Sequence, residues 1–177
     1  MRLLPSALAA LAAALLSGPV AGQASSSLRG HDTNAPVDFD AERIEVQDRA
    51  DRAVLSGNVR VKQGALTLNA ERINVAYTNT GGVEIDRIDA SGGVTVRSPS
   101  ETARGQFAVY DINRRLITLV GNVTLLRGTN ELRGGRLVID LTTGRATMDG
   151  GGSVRGATAG ATGGRVSGRF TVPQRRN

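Results

Sequence analysis

The stretch 56–75, SGNVRVKQGALTLNAERINV, alternates apolar and polar residues with a period of two. Leu55, Val59 and Val61 share one parity against Arg60 and Lys62. After a turn at Lys62-Gln63-Gly64, Leu66 and Leu68 oppose Thr67 and Asn69. Successive Cβ atoms of a strand point to opposite faces, so this pattern puts the apolar side chains of a hairpin on one side. Then the phase slips. Beyond Ala70 the apolar set becomes Ile73, Val75 and Tyr77. A strand keeps its inner face through such a slip only at a bulge or a sharp corner.

The unit recurs. Ala41-Glu42-Arg43-Ile44-Glu45-Val46 is nearly duplicated by Ala70-Glu71-Arg72-Ile73-Asn74-Val75, 29 residues later. Val120-Gly121-Asn122-Val123 with Gly134-Gly135-Arg136-Leu137-Val138-Ile139 repeats the stretch 56–75. Ser91-Gly92-Gly93-Val94-Thr95-Val96 with Arg104-Gly105-Gln106-Phe107-Ala108-Val109 is a degenerate copy between them, and Gly164-Arg165-Val166 is a candidate last one. A period of roughly 30 residues marks stacked units that cannot bury their apolar face alone. Helical repeats of similar period compete with this reading. The wealth of Gly, Thr, Val and Asn, with no 3.6-residue stripe past the N-terminus, favours strands.

Around the repeats the chain divides by composition. Met1-Arg2, an apolar run over 3–16 and small residues as far as Ala24 read as a cleaved secretory signal peptide, residues 1–24, cut after Gly22 or Ala24. An uncleaved membrane anchor is the alternative, and the run is short of the ~20 residues a span requires. Residues 25–35 read as a disordered lead-in and 36–156 as one β domain. Residues 157–177 close the chain with the end of a Gly-rich segment (150–164), an edge strand over 165–172 and a basic tail. Within the domain, strands are expected at 37–46, 52–62, 65–77, 83–97 (bulged at Ser91-Gly92-Gly93), 101–111, 116–126, 130–141 and 146–155. The fold class is all-β.

Several chemistries are excluded by content. The 177 residues hold no Cys and one His, His31, so neither a zinc site nor a Ser-His or Cys-His nucleophile pair can be assembled. Stability comes from packing and strand pairing without disulfides. Asp38, Asp40 and Glu42 alternate along one strand face, which suits solvation better than calcium. Glu84, Asp86 and Asp89 lie beside Arg87 and read as surface ion pairs, not a glycosidase dyad. Asn122-Val123-Thr124 matches a glycosylation sequon only because Gly-Asn-Val repeats. Gly57-Asn58 and Gly121-Asn122 open no helix and cradle no phosphate. Neither an enzyme nor a cofactor is expected. The +6 formal charge, nearly all from scattered Arg, weakly suggests an acidic or phosphorylated ligand.

At Leu55-Ser56-Gly57-Asn58-Val59-Arg60-Val61-Lys62-Gln63-Gly64, continuing into Leu68-Asn69-Ala70-Glu71-Arg72-Ile73-Asn74-Val75, the chain resembles the OstA-like, LptA-type family of periplasmic lipopolysaccharide-transport proteins. Pro36 before the first strand, Leu119-Val120-Gly121-Asn122-Val123 and the late Thr171-Val172-Pro173 are similar too. The resemblance implies an open, twisted antiparallel β-jelly roll of repeated hairpins, V-shaped in section, with a hydrophobic interior groove for lipid A. It implies periplasmic localisation and lipopolysaccharide as the ligand. It also implies three kinds of neighbour: an inner-membrane-anchored transport component at the N-terminal edge, the periplasmic domain of the outer-membrane translocon at the C-terminal edge, and further copies stacked head to tail.

The residues expected to line a lipid-occupied trough, not filled by the chain's own side chains, are Val37, Phe39, Leu55, Val59, Leu66, Leu68, Val75, Val94, Val96, Phe107, Val109, Ile117, Leu119 and Val123. Ordinary core is the competing reading for each. Val37, Phe39 and Val109 rank first because they match family positions that the resemblance places against lipid. Alternatives stay open: a membrane-anchored relative, a β-repeat scaffold that binds no lipid, and a nucleic-acid binder. The last lacks aromatic stacking platforms, and no nucleic acid partner is expected.

Overall fold

The computed structural model describes residues 31–150 and 165–170. The expected signal segment 1–24, the lead-in as far as residue 30, the Gly-rich stretch 151–164 and the tail from residue 171 lie outside the described residues. Among the described residues ten strands form one antiparallel sheet: β1 (Val37–Asp40), β2 (Arg43–Gln47), β3 (Arg52–Gln63), β4 (Leu66–Thr78), β5 (Glu84–Arg97), β6 (Glu101–Asp111), β7 (Leu116–Arg127), β8 (Asn130–Asp140), β9 (Arg145–Asp149) and β10 (Ser167–Arg169). A short 3-10 turn, Asp48–Ala50, links β2 to β3.

From β3 to β8 each strand pairs with the next. Each of these strands also breaks register in its middle. On β3, Gly57 and Asn58 stand opposite the single residue Glu71 of β4, between the pairs Ser56–Arg72 and Val59–Ala70. Gly92-Gly93 on β5 opposes Gln106 on β6, and Gly121-Asn122 on β7 opposes Gly135 on β8. Two residues facing one is a β-bulge, which bends the strand. Both bulge residues are left-handed, with φ of 80° and 45° at Gly57-Asn58 and 87° and 48° at Gly121-Asn122. Gly and Asn are the residues that accept this conformation at least cost, which explains the repeated Gly-Asn-Val.

The aligned bulges fold the sheet into two leaflets. One comprises β2, the first halves of β3, β5 and β7, the second halves of β4, β6 and β8, and β9. The other comprises β1, the complementary halves, and β10. A single apolar core, including Leu55, Ile73, Ile117 and Leu137 from the first leaflet and Val59, Leu68, Val96 and Val123 from the second, lies between them. The path runs from β1 to β10 without joining its ends, so the sheet is open. It is the jelly roll anticipated above.

Two boundaries differ from expectation. The first strand, expected over 37–46, is two strands in different leaflets. β1 pairs with residues 60–63 and β2 with residues 52–56, because the Gly57-Asn58 bend splits whatever lies beside it. At the break, the Glu42 N–H donates to the Gly57 carbonyl at 3.1 Å, and the Asn58 amide donates to the Glu42 carboxylate. The strand expected over 146–155 is the shorter β9, beside the second half of β8, and the edge strand expected over 165–172 is the short β10, beside residues 131–133.

Candidate functional site

The inner face follows a rule set by the bulges. Strands β3, β5 and β7 carry the extra residue and keep one parity through the bend, as Leu55, Val59 and Val61 illustrate. Strands β4, β6 and β8 switch parity at the bend: Leu66, Leu68 and Ala70 precede Ile73 and Val75 on β4, and Gly134 precedes Leu137 and Ile139 on β8. The switch read from sequence at Ala70 is therefore a property of every second strand.

Ten of the expected lining residues lie buried on this face: Leu55, Val59, Leu66, Leu68, Val75, Val94, Val96, Ile117, Leu119 and Val123. Val37 and Phe39 are half-buried and pack against them from β1. Phe107 and Val109 do not. Phe107 is 46% exposed, and Val109 shares its outward parity, while Ala108 and Tyr110 turn inward. The cause is the same mid-strand switch, acting on β6 between Arg104 and Phe107. The repeats carried the signal: aligning Gly105-Gln106-Phe107-Ala108 with Ala70-Glu71-Arg72-Ile73 puts Phe107 on the outward place of Arg72.

The expectation of an unfilled trough is also corrected. Ile73, Leu119 and Leu137 are 0% exposed, and a void walled by Val61, Leu66, Leu68, Ile88 and Ile117 holds about 10 Å³. That is room for one water at most. Small residues, Ala90, Ala103 and Ala108, are buried on the same face.

The void lies where the hairpin rims of the two leaflets meet, beneath a polar pair that sequence reading missed. Gln63 is 4% exposed and belongs to the second leaflet; Tyr110 is 3% exposed and belongs to the first. The Tyr110 hydroxyl donates to Gln63 Oε1 at 2.9 Å, joining the leaflets across the seam. Burial pushes the Tyr110 phenol up to about 12, with Arg115 opposing. Gln63 had been read as part of a turn. Its odd parity with Val59 and Val61 was the available sign that it faces inward, and a polar side chain on an apolar face is informative.

A second polar group stands on the inner face at the rim of the second leaflet. Glu101, 5% exposed, accepts from the Arg127 guanidinium across the β6–β7 pair. The acidic residues weighed above as catalytic candidates serve the turns instead. Asp86 accepts from the Thr78 hydroxyl at 2.6 Å and the Asn113 amide at 3.0 Å, which hold its carboxyl below the usual range. Asp89 pairs with Arg87 at 2.7 Å. Among the described residues no three His, Cys, Asp or Glu side chains converge as metal ligands, and no helix is long and apolar enough to cross a membrane.

Residues 38–145 match the sequence profile of the family described as LptA/(LptD N-terminal domain) LPS transport protein. An uncharacterised protein of Rhizobium meliloti is 32% identical over 160 residues, covering 84% of this chain and 86% of that one. The LPS-assembly protein LptD of Saccharophagus degradans is 28% identical over 130 residues, 71% of this chain but 14% of its own length. Among solved structures, LptH of Pseudomonas aeruginosa, described as an LptA-homologous periplasmic component of the lipopolysaccharide transport device, superposes with a TM-score of 0.69 at 16% identity. The match covers 80% of this chain and 99% of that one, and at this identity the likeness speaks to the fold alone. The extent of the profile match and of the Rhizobium relationship makes this chain a member of the LptA/LptD N-terminal domain family of lipopolysaccharide-transport proteins.

Proposed function

We propose that, within the lipopolysaccharide-transport role of its family, this chain binds the acyl chains of lipid A between its two leaflets and hands them on across the periplasm. It does so as one piece of a bridge between inner and outer membranes, and it catalyses no reaction. The observation that carries this reading is the one-sided apolar face, kept continuous through every hairpin by the bulges. Since the interior is self-packed, lipid enters only if the leaflets part. Parting exchanges one apolar contact for another, whereas moving an acyl chain out of water gains about 0.8 kcal/mol per CH₂, on the order of 10 kcal/mol per chain.

The neighbours in the bridge are those that the family resemblance implies. An inner-membrane-anchored component meets the β1–β2 edge, the translocon's periplasmic domain meets the β9–β10 edge, and copies stack head to tail between them.

The test is site-specific photocrosslinking to lipopolysaccharide in cells. Probes at Leu68 and Ile117, which face inward, should capture lipid, while probes at Phe107 and Val109 should not. Capture from the outer positions alone, or from none, overturns the reading.

A further inference from the structure

The strap of residues 31–35, ahead of β1, is bound where the leaflets meet. Its turn is closed by Asp32, whose carboxylate accepts from the Asn34 N–H at 3.0 Å. It lies over the β3–β4 turn, with Ala35 Cβ and the His31 ring each 3.8 Å from where a side chain on Gly64 would begin. Its partner beneath is Gln63. The Gln63 amide nitrogen donates to the Thr33 carbonyl at 2.9 Å and the Ala35 carbonyl at 3.1 Å. Gln63 Oε1 accepts from Tyr110 at 2.9 Å and, in the tautomer protonated at Nε2, from His31 at 3.2 Å. All four hydrogen-bonding positions of one side chain are used, two of its bonds reaching strap carbonyls and one reaching the opposite leaflet. The lead-in expected to be disordered is, over these residues, tied down by a single glutamine.

We propose that Gln63 is the catch of a latch, holding the strap 31–35 over the seam and the second leaflet against Tyr110 of the first, and that an acyl chain enters the interior at this seam when the catch releases. The proposal rests on the lipid-binding reading above. Three observations favour the seam as the entrance. The void of about 10 Å³ lies directly under the catch, walled by Val61, Leu66 and Leu68 on one side and Ile88 and Ile117 on the other. The strap precedes the first paired strand, so lifting it breaks no rung of the sheet. A satisfied buried amide gives a closed state of defined geometry instead of a loosely frayed one.

Association of lipopolysaccharide, labelled with a fluorophore on its sugar, is measured by stopped flow with the wild-type chain, Gln63→Leu, Tyr110→Phe and a deletion of residues 31–35. The deletion leaves the sheet pairing and Gln63 in place, so it serves should Gln63→Leu fold poorly. Removing the catch is expected to speed association about tenfold, the strap deletion to match it, and Tyr110→Phe, which loses one bond, to fall between. The amides of Asn34 and Ala35, which donate to Asp32 within the strap at 3.0 and 3.3 Å, should exchange faster once lipid is loaded. Binding at one rate by all four proteins overturns the latch and leaves the lipid reading standing. Absence of binding by all four overturns both.

Discussion

Tyr110 shows how one polar atom is tolerated on an apolar wall. Its ring adds to the core, and its hydroxyl is spent on Gln63, so the buried oxygen is satisfied. The phenolate has no such accommodation, and burial raises its pKa to about 12. The native state therefore holds this proton more tightly than the unfolded chain, where the value is 10.0. Tyr110 thus contributes undiminished stability below pH 10, and the contribution drains away as pH climbs from 10 towards 12. Alkaline unfolding followed by circular dichroism should show this loss, and Tyr110→Phe should flatten it. The chain's other tyrosine, Tyr77, is also shifted upward, by desolvation and then by Asp48 and Asp51. Ultraviolet titration of the native protein should accordingly find no phenol ionising at 10.0. Full ionisation there, with the fold intact, contradicts the buried seam.

At the scale of the strand, the bulge is what lets a long hairpin serve two leaflets. Gly121 has a φ of 87°, and a Cβ placed there would come 2.5 Å from Gln106 Oε1 and 2.9 Å from Gln106 Cβ. Gly121→Ala then combines backbone strain with a clash and should cost about 1–3 kcal/mol in urea denaturation. Asn122→Gly, which keeps the left-handed backbone at φ 48°, should stay within a few tenths of a kcal/mol of the wild-type chain. Equal effects from both would mean that the bend does not depend on this geometry. The same motif set what could be read from the residues alone. Where the inner side chains are large, as at Leu68 and Ile73, the change of parity on β4 was visible in the letters. On β6 the inner positions after the bend are Ala108 and Tyr110 and the outer ones Phe107 and Val109, so hydrophobicity pointed to the wrong face. The width of the gap between the walls was never legible. It is a tertiary distance that no strand pattern encodes.

Among the described residues the two ends of the sheet are unlike in what they leave uncovered. At the N-terminal end, β2 of the first leaflet exposes Ile44 and Val46, at 53% and 60%, on the inward parity of their partners Leu55 and Ala53. At the C-terminal end, the second leaflet ends in β10, flanked by Val166 and Phe170, the latter 60% exposed. Unpaired strands with apolar side chains invite pairing by another chain. Because the two surfaces differ, the proposed head-to-tail contact would be heterologous, and a straight repetition of it would grow without closing. Sedimentation across a concentration series should therefore give a weight-average mass that keeps rising and does not level at a dimer. Val46→Lys puts a charge into one of the two surfaces and leaves the other alone. Its unfolding free energy should stay within about 0.5 kcal/mol of the parent, since the position is exposed, while its self-association weakens at least about tenfold. An equimolar mixture of Val46→Lys with the parent should still form short stacks, capped wherever the variant would have to offer its N-terminal edge. A mass fixed at one or two protomers at every concentration, or an unaffected Val46→Lys, would refer the exposed residues to some other partner and remove the stack from the proposed bridge.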